Sequence, residues 1–168
     1  MSAPGSLTAR LRVHGHVEVR VHSQGSQGLW PSEQRDLACR SGHVREVMLL
    51  LDGVPAVWAR STTTHQALRG PWKALTGLGT RPLAELLFQG RHVCRDPIRI
   101  HPLPAHGQQH AHLRQQWLAQ CPELAMPRWA RSSVFWRQGQ PVRVMEAFAP
   151  WMTHLDAHRL VRQGLIRG

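Results

Sequence analysis

Apolar and polar side chains alternate in several stretches of the chain, and this alternation predicts the strands of a sheet. The first stretch is HVEVRVH, in which Val17, Val19 and Val21 share one face. Two apolar runs, HVREVMLLL and PAVWARSTTT, follow and are joined at Asp52-Gly53, a pair typical of hairpin turns. Pro55 indicates a longer loop or an edge position at this turn. A second hairpin is predicted around QGQP at residues 138–141, and PIRIHPLP is typical of a short strand.

Helical spacing and helix-end signals mark the segments between these strands. Ser6 can cap a helical turn in SLTARL, and Pro82 is a suitable first helical residue in RPLAELLFQ. Residues 23–42 are rich in Gly, Ser and Gln, which predicts a loop with a short helix around residues 33–39. Further helices are predicted over residues 66–76, 111–119 and 153–166. We therefore expect a single domain over residues 1–168 of the α+β class, with an antiparallel β-sheet and helices packed on one side.

The stretch PVRVMEAFAP contains one carboxylate, Glu146, among Val, Met and Phe. If this stretch is a strand, Glu146 shares a face with Val142 and Phe148. The same alternation places Arg45 and Arg60 among apolar neighbours on their own strands. An unpaired buried charge is costly, so such groups are normally paired with each other or with a ligand. The pattern fits a structural Arg–Glu pair inside the sheet, and it equally fits a dry pocket in which two arginines receive an acidic ligand.

The formal net charge of the 168-residue chain is +11, which favours an anionic partner such as nucleic acid, a membrane surface or an acidic small molecule. Lys73 is the only lysine, and the arginines are spread along the sequence without forming a basic tail. Tyrosine is absent whereas Arg, His, Pro and Trp are abundant, so a composition bias also accounts for part of the basicity. Since no nucleic-acid-binding motif accompanies the charge, we expect no nucleic-acid partner.

The cysteines and histidines indicate neither a disulfide framework nor a metal site. The three cysteines are far apart and form no C-x-x-C pattern, which is typical of a reducing compartment. His110 and His112 are two residues apart, whereas two ligands on one helical face need a spacing of three or four residues. The longest apolar run is interrupted by Asp52 and Pro55, and the first residues lack an apolar core of signal-peptide length. We expect a soluble, cytoplasmic protein that holds no metal and does not insert stably into membranes.

Four blocks, taken in order, resemble the chorismate lyase family: GSLTARL, VREVMLLLDGVPAVWARS, LGTRPLAELLF and WARSSVFWRQGQPVRVMEAFAP. Each block alone is weakly specific, but together they follow the family order over nearly the whole chain. The resemblance implies a monomeric α+β protein whose ligand is enclosed beneath two flap-like segments. It also implies removal of the enolpyruvyl ether of chorismate as pyruvate, which leaves 4-hydroxybenzoate for ubiquinone biosynthesis and needs no redox cofactor or metal.

The resemblance assigns roles to five residues. Arg45 is expected to bind the ring carboxylate, and Arg60 to meet the carboxylate of the enolpyruvyl side chain. Glu146 is expected beside the ether and hydroxyl oxygens as the catalytic residue. Leu7 and Leu83 match apolar positions that wall the pocket. Two guanidinium groups suit a substrate with two carboxylates because each can form charge-assisted, bidentate contacts.

The chain departs from the family pattern at a few positions. Ser132 stands where a second arginine is common, Ala84 where glycine is common, and three threonines occupy residues 62–64. A second hypothesis is a non-catalytic domain that senses aromatic carboxylates, because effector-binding domains of some bacterial transcription regulators resemble this fold. Such regulators carry a DNA-binding domain ahead of the effector domain, whereas this sequence starts almost directly at its first block, which favours the enzyme.

Overall fold

The computed structural model describes residues 6–89 and 92–155, which form seven strands and five α-helices. The strands are β1 Val17–Gly28, β2 Ser41–Leu51, β3 Val54–Thr63, β4 Val93–Arg95, β5 Arg99–Pro102, β6 Trp129–Arg137 and β7 Gln140–Phe148. The helices are α1 Leu7–Arg12, α2 Pro31–Leu37, α3 His65–Arg69, α4 Ala84–Gln89 and α5 Gly107–Gln120, with 3-10 helices at Lys73–Gly77 and Pro150–His154.

All seven strands belong to one antiparallel sheet, which confirms the predicted α+β class. The strand order is β1-β2-β3-β7-β6-β4, and β5 also pairs with β6. Strands β4 and β5 lie end to end along β6, because β4 pairs with residues 135–137 and β5 with residues 129–132. The central strands β2, β3 and β7 therefore have neighbours on both sides, and the functional side chains considered below come mostly from them and from β6.

Both predicted hairpins are present, and both close with two-residue turns. Asp52 and Gly53 have φ angles of 50° and 82°, and Gln138 and Gly139 have φ angles of 50° and 72°. Two successive positive φ angles give the turn the twist that antiparallel strands prefer, and glycine adopts such angles without steric cost. Pro55 does not lengthen the first loop, since Leu51 pairs directly with Val54.

A β-bulge follows the first turn and shifts the register of β2 and β3 by one residue. Leu50 pairs with Pro55, but the next pair is Leu49 with Val57, so Ala56 is the extra residue. Proline is suited to this place because it has no N–H to donate to a ladder. Beyond the bulge, each side chain of β3 lies on the face opposite to the one that an unbroken register would give it.

Helices pack on both faces of the sheet, whereas the sequence predicted them on one side only. On the front face, α1 packs on β2 and β3, while α3, α4 and the 3-10 helix at 73–77 pack on β6 and β7. On the back face, α5 packs through Leu113 and Trp117 against Met48, Trp58 and Met145. Continuous apolar runs such as MLLL reflect this two-sided burial, since a strand covered on both faces need not alternate.

Two segments differ from the sequence-based expectation. Strand β1 continues to Gly28, through polar residues that were predicted to form a loop, after a register shift between Val21 and Ser23. Residues 66–76 do not form one helix, because α3 ends at Arg69 and Gly70-Pro71 separates it from the 3-10 helix. Most of the predicted helix over residues 153–166 lies outside the described residues. In the described ranges, no helix combines the length and apolarity that a membrane crossing requires.

Candidate active site

A cavity on the front face of the sheet brings together several charged side chains. The enclosed space is about 60 Å³, and all atom-free space, including the open solvent at the mouth, is about 690 Å³. Residues of β2, β3, β6 and β7 form much of its lining, and α1 and α4 supply apolar walls. The polar and charged lining residues are Thr8, Arg45, Ser61, Arg95, Arg131, Ser132, Ser133 and Glu146.

Arg45 is a buried cation with no carboxylate partner among the described residues. Its relative exposure is 2%, and its Nη2 donates to the carbonyl oxygens of Gly79 at 2.9 Å and Arg81 at 3.1 Å. Its Nε is buried without a hydrogen-bond acceptor within residues 6–89 and 92–155. Burial lowers the pKa of this guanidinium, because desolvation disfavours the charged form. An anion in the cavity would supply the missing charge.

Glu146 lies on β7 and pairs with Arg131 of β6 in the sheet register. Its Oε2 accepts from Arg131 Nε at 2.5 Å, and the two side chains are 15% and 16% exposed. The Arg131 guanidinium also lies 5.5 Å from the ring centroid of Phe148. Glu146 is therefore half-buried, paired and turned into the cavity, as the alternation of its strand predicted.

Arg95 lies on the short strand β4, which pattern analysis did not find. Its Nε donates to Ser133 Oγ at 2.8 Å, and its guanidinium lies 4.8 Å from the ring centroid of Phe135. Burial lowers its pKa, and the nearby positive charge of Arg131 lowers it further. Arg95 and Arg131 are therefore two like charges in close proximity, and they share one carboxylate, Glu146.

Charge on the cavity lining is unbalanced. Three arginines against one glutamate leave a formal excess of two positive charges among the described lining residues. Opposite charge in the ligand would relieve this excess, because electrostatic interactions are strong in a cavity shielded from water. The cavity is thus suited to a ligand with two negative charges.

Leu7 and Leu83 both line the cavity, at the positions expected from the family resemblance. Leu7 opens α1, and Ser6 caps this helix by accepting a hydrogen bond from Ala9 N at 3.3 Å. Leu83 immediately precedes α4. These short helices carry the apolar walls over the polar lining, and their role as the two flap-like segments stays a prediction.

Arg60 does not line this cavity, and the expectation that it shares a pocket with Arg45 is wrong. Without the bulge, the two-residue turn would have paired Arg45 with Arg60 on one face. The bulge at Ala56 instead pairs Arg60 with Glu46, and Arg45 with Ser61. One extra residue therefore turns Arg60 to the back face of the sheet.

On the back face, Arg60 is the centre of a buried ion network. It is 1% exposed, and its Nε and Nη2 donate to the two carboxylate oxygens of Glu33 at 2.6 and 3.0 Å. Its Nη1 donates to Glu46 Oε1 at 2.6 Å, and its guanidinium stacks 3.9 Å from the ring centroid of Trp30. His112 Nε2 lies 2.8 Å from the same Glu46 oxygen. The structural ion pair considered from the sequence exists, but it joins Arg60 to Glu33 and Glu46 rather than to Glu146.

Two of the departures from the family pattern lie on the cavity lining. Ser132 is 3% exposed and, like Ala84, belongs to the cavity lining. Thr64 caps α3 by accepting from Ala67 N at 3.0 Å, and Thr63 Oγ1 donates to the Pro141 carbonyl oxygen at 2.5 Å. Thr63 and Thr64 thus stabilise local structure, and neither lines the cavity.

Comparison with solved structures identifies the fold. PhnF from Mycobacterium smegmatis superposes with a TM-score of 0.56 at 15% identity, covering 88% of this chain and 65% of that chain. The C-terminal domain of the histidine utilization repressor from Pseudomonas syringae pv. tomato superposes with a TM-score of 0.53 at 12% identity, covering 80% and 92%. Identities this low indicate a shared fold alone.

Sequence comparison is more specific. The profile of the family described as chorismate lyase matches residues 1–155. A protein of Albidiferax ferrireducens named probable chorismate pyruvate-lyase is 42% identical over 163 residues, covering 90% of this chain and 82% of that protein. The protein of the same name from Bordetella avium is 38% identical over 161 residues, covering 88% and 73%. The chain therefore belongs to the chorismate lyase family.

Proposed function

We propose that this protein is a chorismate pyruvate-lyase that converts chorismate into 4-hydroxybenzoate and pyruvate, and that it supplies 4-hydroxybenzoate for ubiquinone biosynthesis as a cytoplasmic monomer. The observation that carries the proposal is Arg45, a buried guanidinium on the cavity lining without a carboxylate partner in the described chain. Such a cation is costly unless an anion joins it. A ring carboxylate supplies that anion, and apolar residues such as Val47 and Leu83 suit the ring itself.

The proposed reaction is an elimination that conserves all atoms of chorismate. The bond between C3 and the ether oxygen breaks, and its electron pair stays on the oxygen of the departing enolpyruvate. The hydrogen on C4 leaves as a proton, and the electrons of the C4–H bond form the third double bond of the aromatic ring. A proton added at the methylene carbon turns the enolpyruvate into pyruvate, so the step requires no external oxidant or reductant.

In this proposal, Glu146 lies beside the oxygens at C3 and C4. Its carboxylate can accept the C4 proton or a hydrogen bond from the C4 hydroxyl, which are the tasks of a general base and a positioning group. Arg131 already holds one carboxylate oxygen through its Nε. The side chain of Glu146 is therefore oriented before substrate arrives, which limits the reorganisation that the reaction needs.

The test is incubation of the purified full-length chain with chorismate in the absence of added metal. We expect pyruvate and 4-hydroxybenzoate to form in equal amounts, measured by a coupled assay for pyruvate and by chromatography for the aromatic product. Binding of 4-hydroxybenzoate without turnover of chorismate would overturn the lyase proposal and favour the ligand-sensing domain. Turnover that yields pyruvate with a different aromatic product would overturn the assignment of the product.

Replacement of Arg45 by Ala should weaken binding of 4-hydroxybenzoate about 10- to 100-fold, because a hydrogen bond to a charged group contributes roughly 1.5–3 kcal/mol. Calorimetry of the variant and of the parent protein measures this change directly. Arg45→Lys keeps the charge but loses the planar fork, so its affinity should lie between the two. Unchanged affinity in Arg45→Ala would remove Arg45 from the carboxylate site.

A further inference from the structure

Because Arg60 lies on the back face of the sheet, the enolpyruvyl carboxylate of the proposed substrate has no cationic partner so far. The structure offers another arginine for this carboxylate. Across the sheet, Arg45 stands on β2, Glu146 on β7, Arg131 on β6 and Arg95 on β4. The strand order β2-β3-β7-β6-β4 places Glu146 between Arg45 on one side and the other two arginines on the opposite side. All four side chains line the same cavity. The cavity therefore has two separate cationic ends with the proposed catalytic carboxylate between them.

Arg95 is the cation at the second end that has no ion-pair partner of its own among the described residues. Arg131 has Glu146 as its ion-pair partner at 2.5 Å. Arg95 forms no ion pair with any carboxylate in residues 6–89 and 92–155, and its Nε is held by a neutral hydroxyl, that of Ser133. The remaining nitrogens of its guanidinium have no acceptor that would compete with a ligand among the described hydrogen bonds. A half-buried arginine next to a second arginine is most stable when an anion lies between or beside them.

The geometry of the proposed substrate matches these two ends. The ring carboxylate of chorismate is attached at C1, whereas the enolpyruvyl carboxylate is attached through the ether oxygen at C3. If Arg45 holds the ring carboxylate and Glu146 lies beside the C3 and C4 oxygens, the enolpyruvyl group extends past Glu146 toward β6 and β4. Resting on the proposed lyase function, we propose that Arg95 binds the enolpyruvyl carboxylate, with Arg131 beside it, in a subsite distinct from that of the ring carboxylate.

This subsite has a consequence for the elimination. The departing enolpyruvate carries its carboxylate and the negative charge that develops on the ether oxygen. Arg95 and Arg131 lie at the end of the cavity where both charges accumulate, so they stabilise the leaving group as the C3–O bond breaks. 4-Hydroxybenzoate lacks this carboxylate and does not use the subsite. Arg95 therefore separates recognition of the substrate from recognition of the aromatic product.

The experiment uses Arg95→Met, which removes the charge but keeps an unbranched side chain against Phe135. We expect kcat/KM for chorismate to fall about 10- to 100-fold, while the affinity for 4-hydroxybenzoate changes less than about twofold. The retained affinity for 4-hydroxybenzoate also establishes that the variant is folded. Arg128→Met removes one exposed positive charge outside the cavity and serves as the matched control for the loss of net charge.

A second measurement makes the subsite testable without turnover. The probe is 3-(carboxymethoxy)benzoate, a stable ether with two carboxylates, and its affinity for Arg95→Met should be about 10- to 100-fold below that for the parent protein. If the parent protein binds the probe through Arg95 but does not turn over chorismate, the subsite stands and the lyase proposal fails. The opposite outcome is turnover of chorismate by the parent protein together with an unselective effect of Arg95→Met. If the substitution lowers kcat/KM for chorismate and the affinities for the probe and 4-hydroxybenzoate alike, or changes none of them, the subsite is overturned while the lyase proposal stands.

Discussion

Replacement of Glu146 by Gln is expected to reduce kcat for chorismate about 100- to 10,000-fold, the range that a positioned acid or base typically contributes. Glutamine keeps the size of the side chain, and its amide oxygen can still accept the hydrogen bond from Arg131 Nε. It cannot take up a proton or carry a negative charge. The loss would therefore report proton transfer and charge rather than a collapse of the cavity.

The affinity for 4-hydroxybenzoate distinguishes a catalytic role of Glu146 from a role in binding the aromatic acid. We expect it to change much less than kcat in Glu146→Gln, because Arg45 and the apolar walls supply most of the contacts to the aromatic acid in the proposed complex. Glu146→Asp is the companion variant: it keeps the charge but withdraws the carboxylate by one methylene. Full turnover by Glu146→Gln would show that this residue has no catalytic role.

Much of this site follows from the alternation of the strands alone. Glu146 and Arg45 were predicted to turn inward among apolar residues, and both line the cavity. Arg131 could have been added from the second hairpin, because a two-residue turn at Gln138 and Gly139 places it directly opposite Glu146. Regular strands with short turns thus allow cross-strand neighbours to be counted from the sequence.

Arg60 and Arg95 illustrate where such counting fails. A single extra residue in the bulge reverses the face of every later side chain in β3, and the sequence signal for it is no more than a proline next to the turn. Strand β4 has three residues, too few for an alternating pattern, and it is held in place by pairing with β6. Neither feature is encoded by local periodicity, since both depend on contacts between distant parts of the chain.

The buried arginines on the two faces of the sheet differ in their carboxylate partners. On the back face, Arg60 is fully paired with Glu33 and Glu46, all three of which are no more than 1% exposed. On the front face, Arg45 is as deeply buried but has no carboxylate partner among the described residues. Buried arginines of similar sequence context therefore differ in role because of their partners. A buried cation that the protein itself neutralises is structural, and we propose that Arg45, which the described residues leave unneutralised, binds an anion.

Replacement of Arg60 by Met is accordingly expected to act on stability, not on substrate binding. It leaves the carboxylates of Glu33 and Glu46 buried without their main cation, and breaking a buried ion pair in this way costs roughly 3–5 kcal/mol. The free energy of unfolding, measured from urea denaturation, should fall by about that amount. Arg114→Met removes an exposed arginine from α5 and should change it by no more than about 0.5 kcal/mol.

Acid should narrow the difference in unfolding free energy between Arg60→Met and the parent protein. Burial by itself raises the pKa of Glu46, but hydrogen bonds from Gln116, Arg60 and Ser23 more than offset this and leave the pKa below its ordinary value. A carboxyl whose pKa is lower in the folded state stabilises the protein above the unfolded-state pKa of about 4.3, and this contribution disappears as pH falls through the folded-state value. Without Arg60 the pKa of Glu46 rises toward or above the unfolded-state value, so acid removes less stability from the variant than from the parent protein.

Steady-state kinetics of folded Arg60→Met with chorismate test whether Arg60 also takes part in substrate binding. At a temperature where Arg60→Met remains folded, KM for chorismate should stay within about twofold of the parent value, because Arg60 lies on the opposite face of the sheet from the cavity. A large rise in KM with unchanged stability would return Arg60 to the role of a substrate ligand and contradict its assignment as a structural cation.

Replacing Glu33 by Leu in the Arg60→Met background should recover part of the lost stability, because it removes one of the unpaired carboxylates. Such recovery would identify the uncompensated buried charge, rather than lost packing, as the cause of the destabilisation.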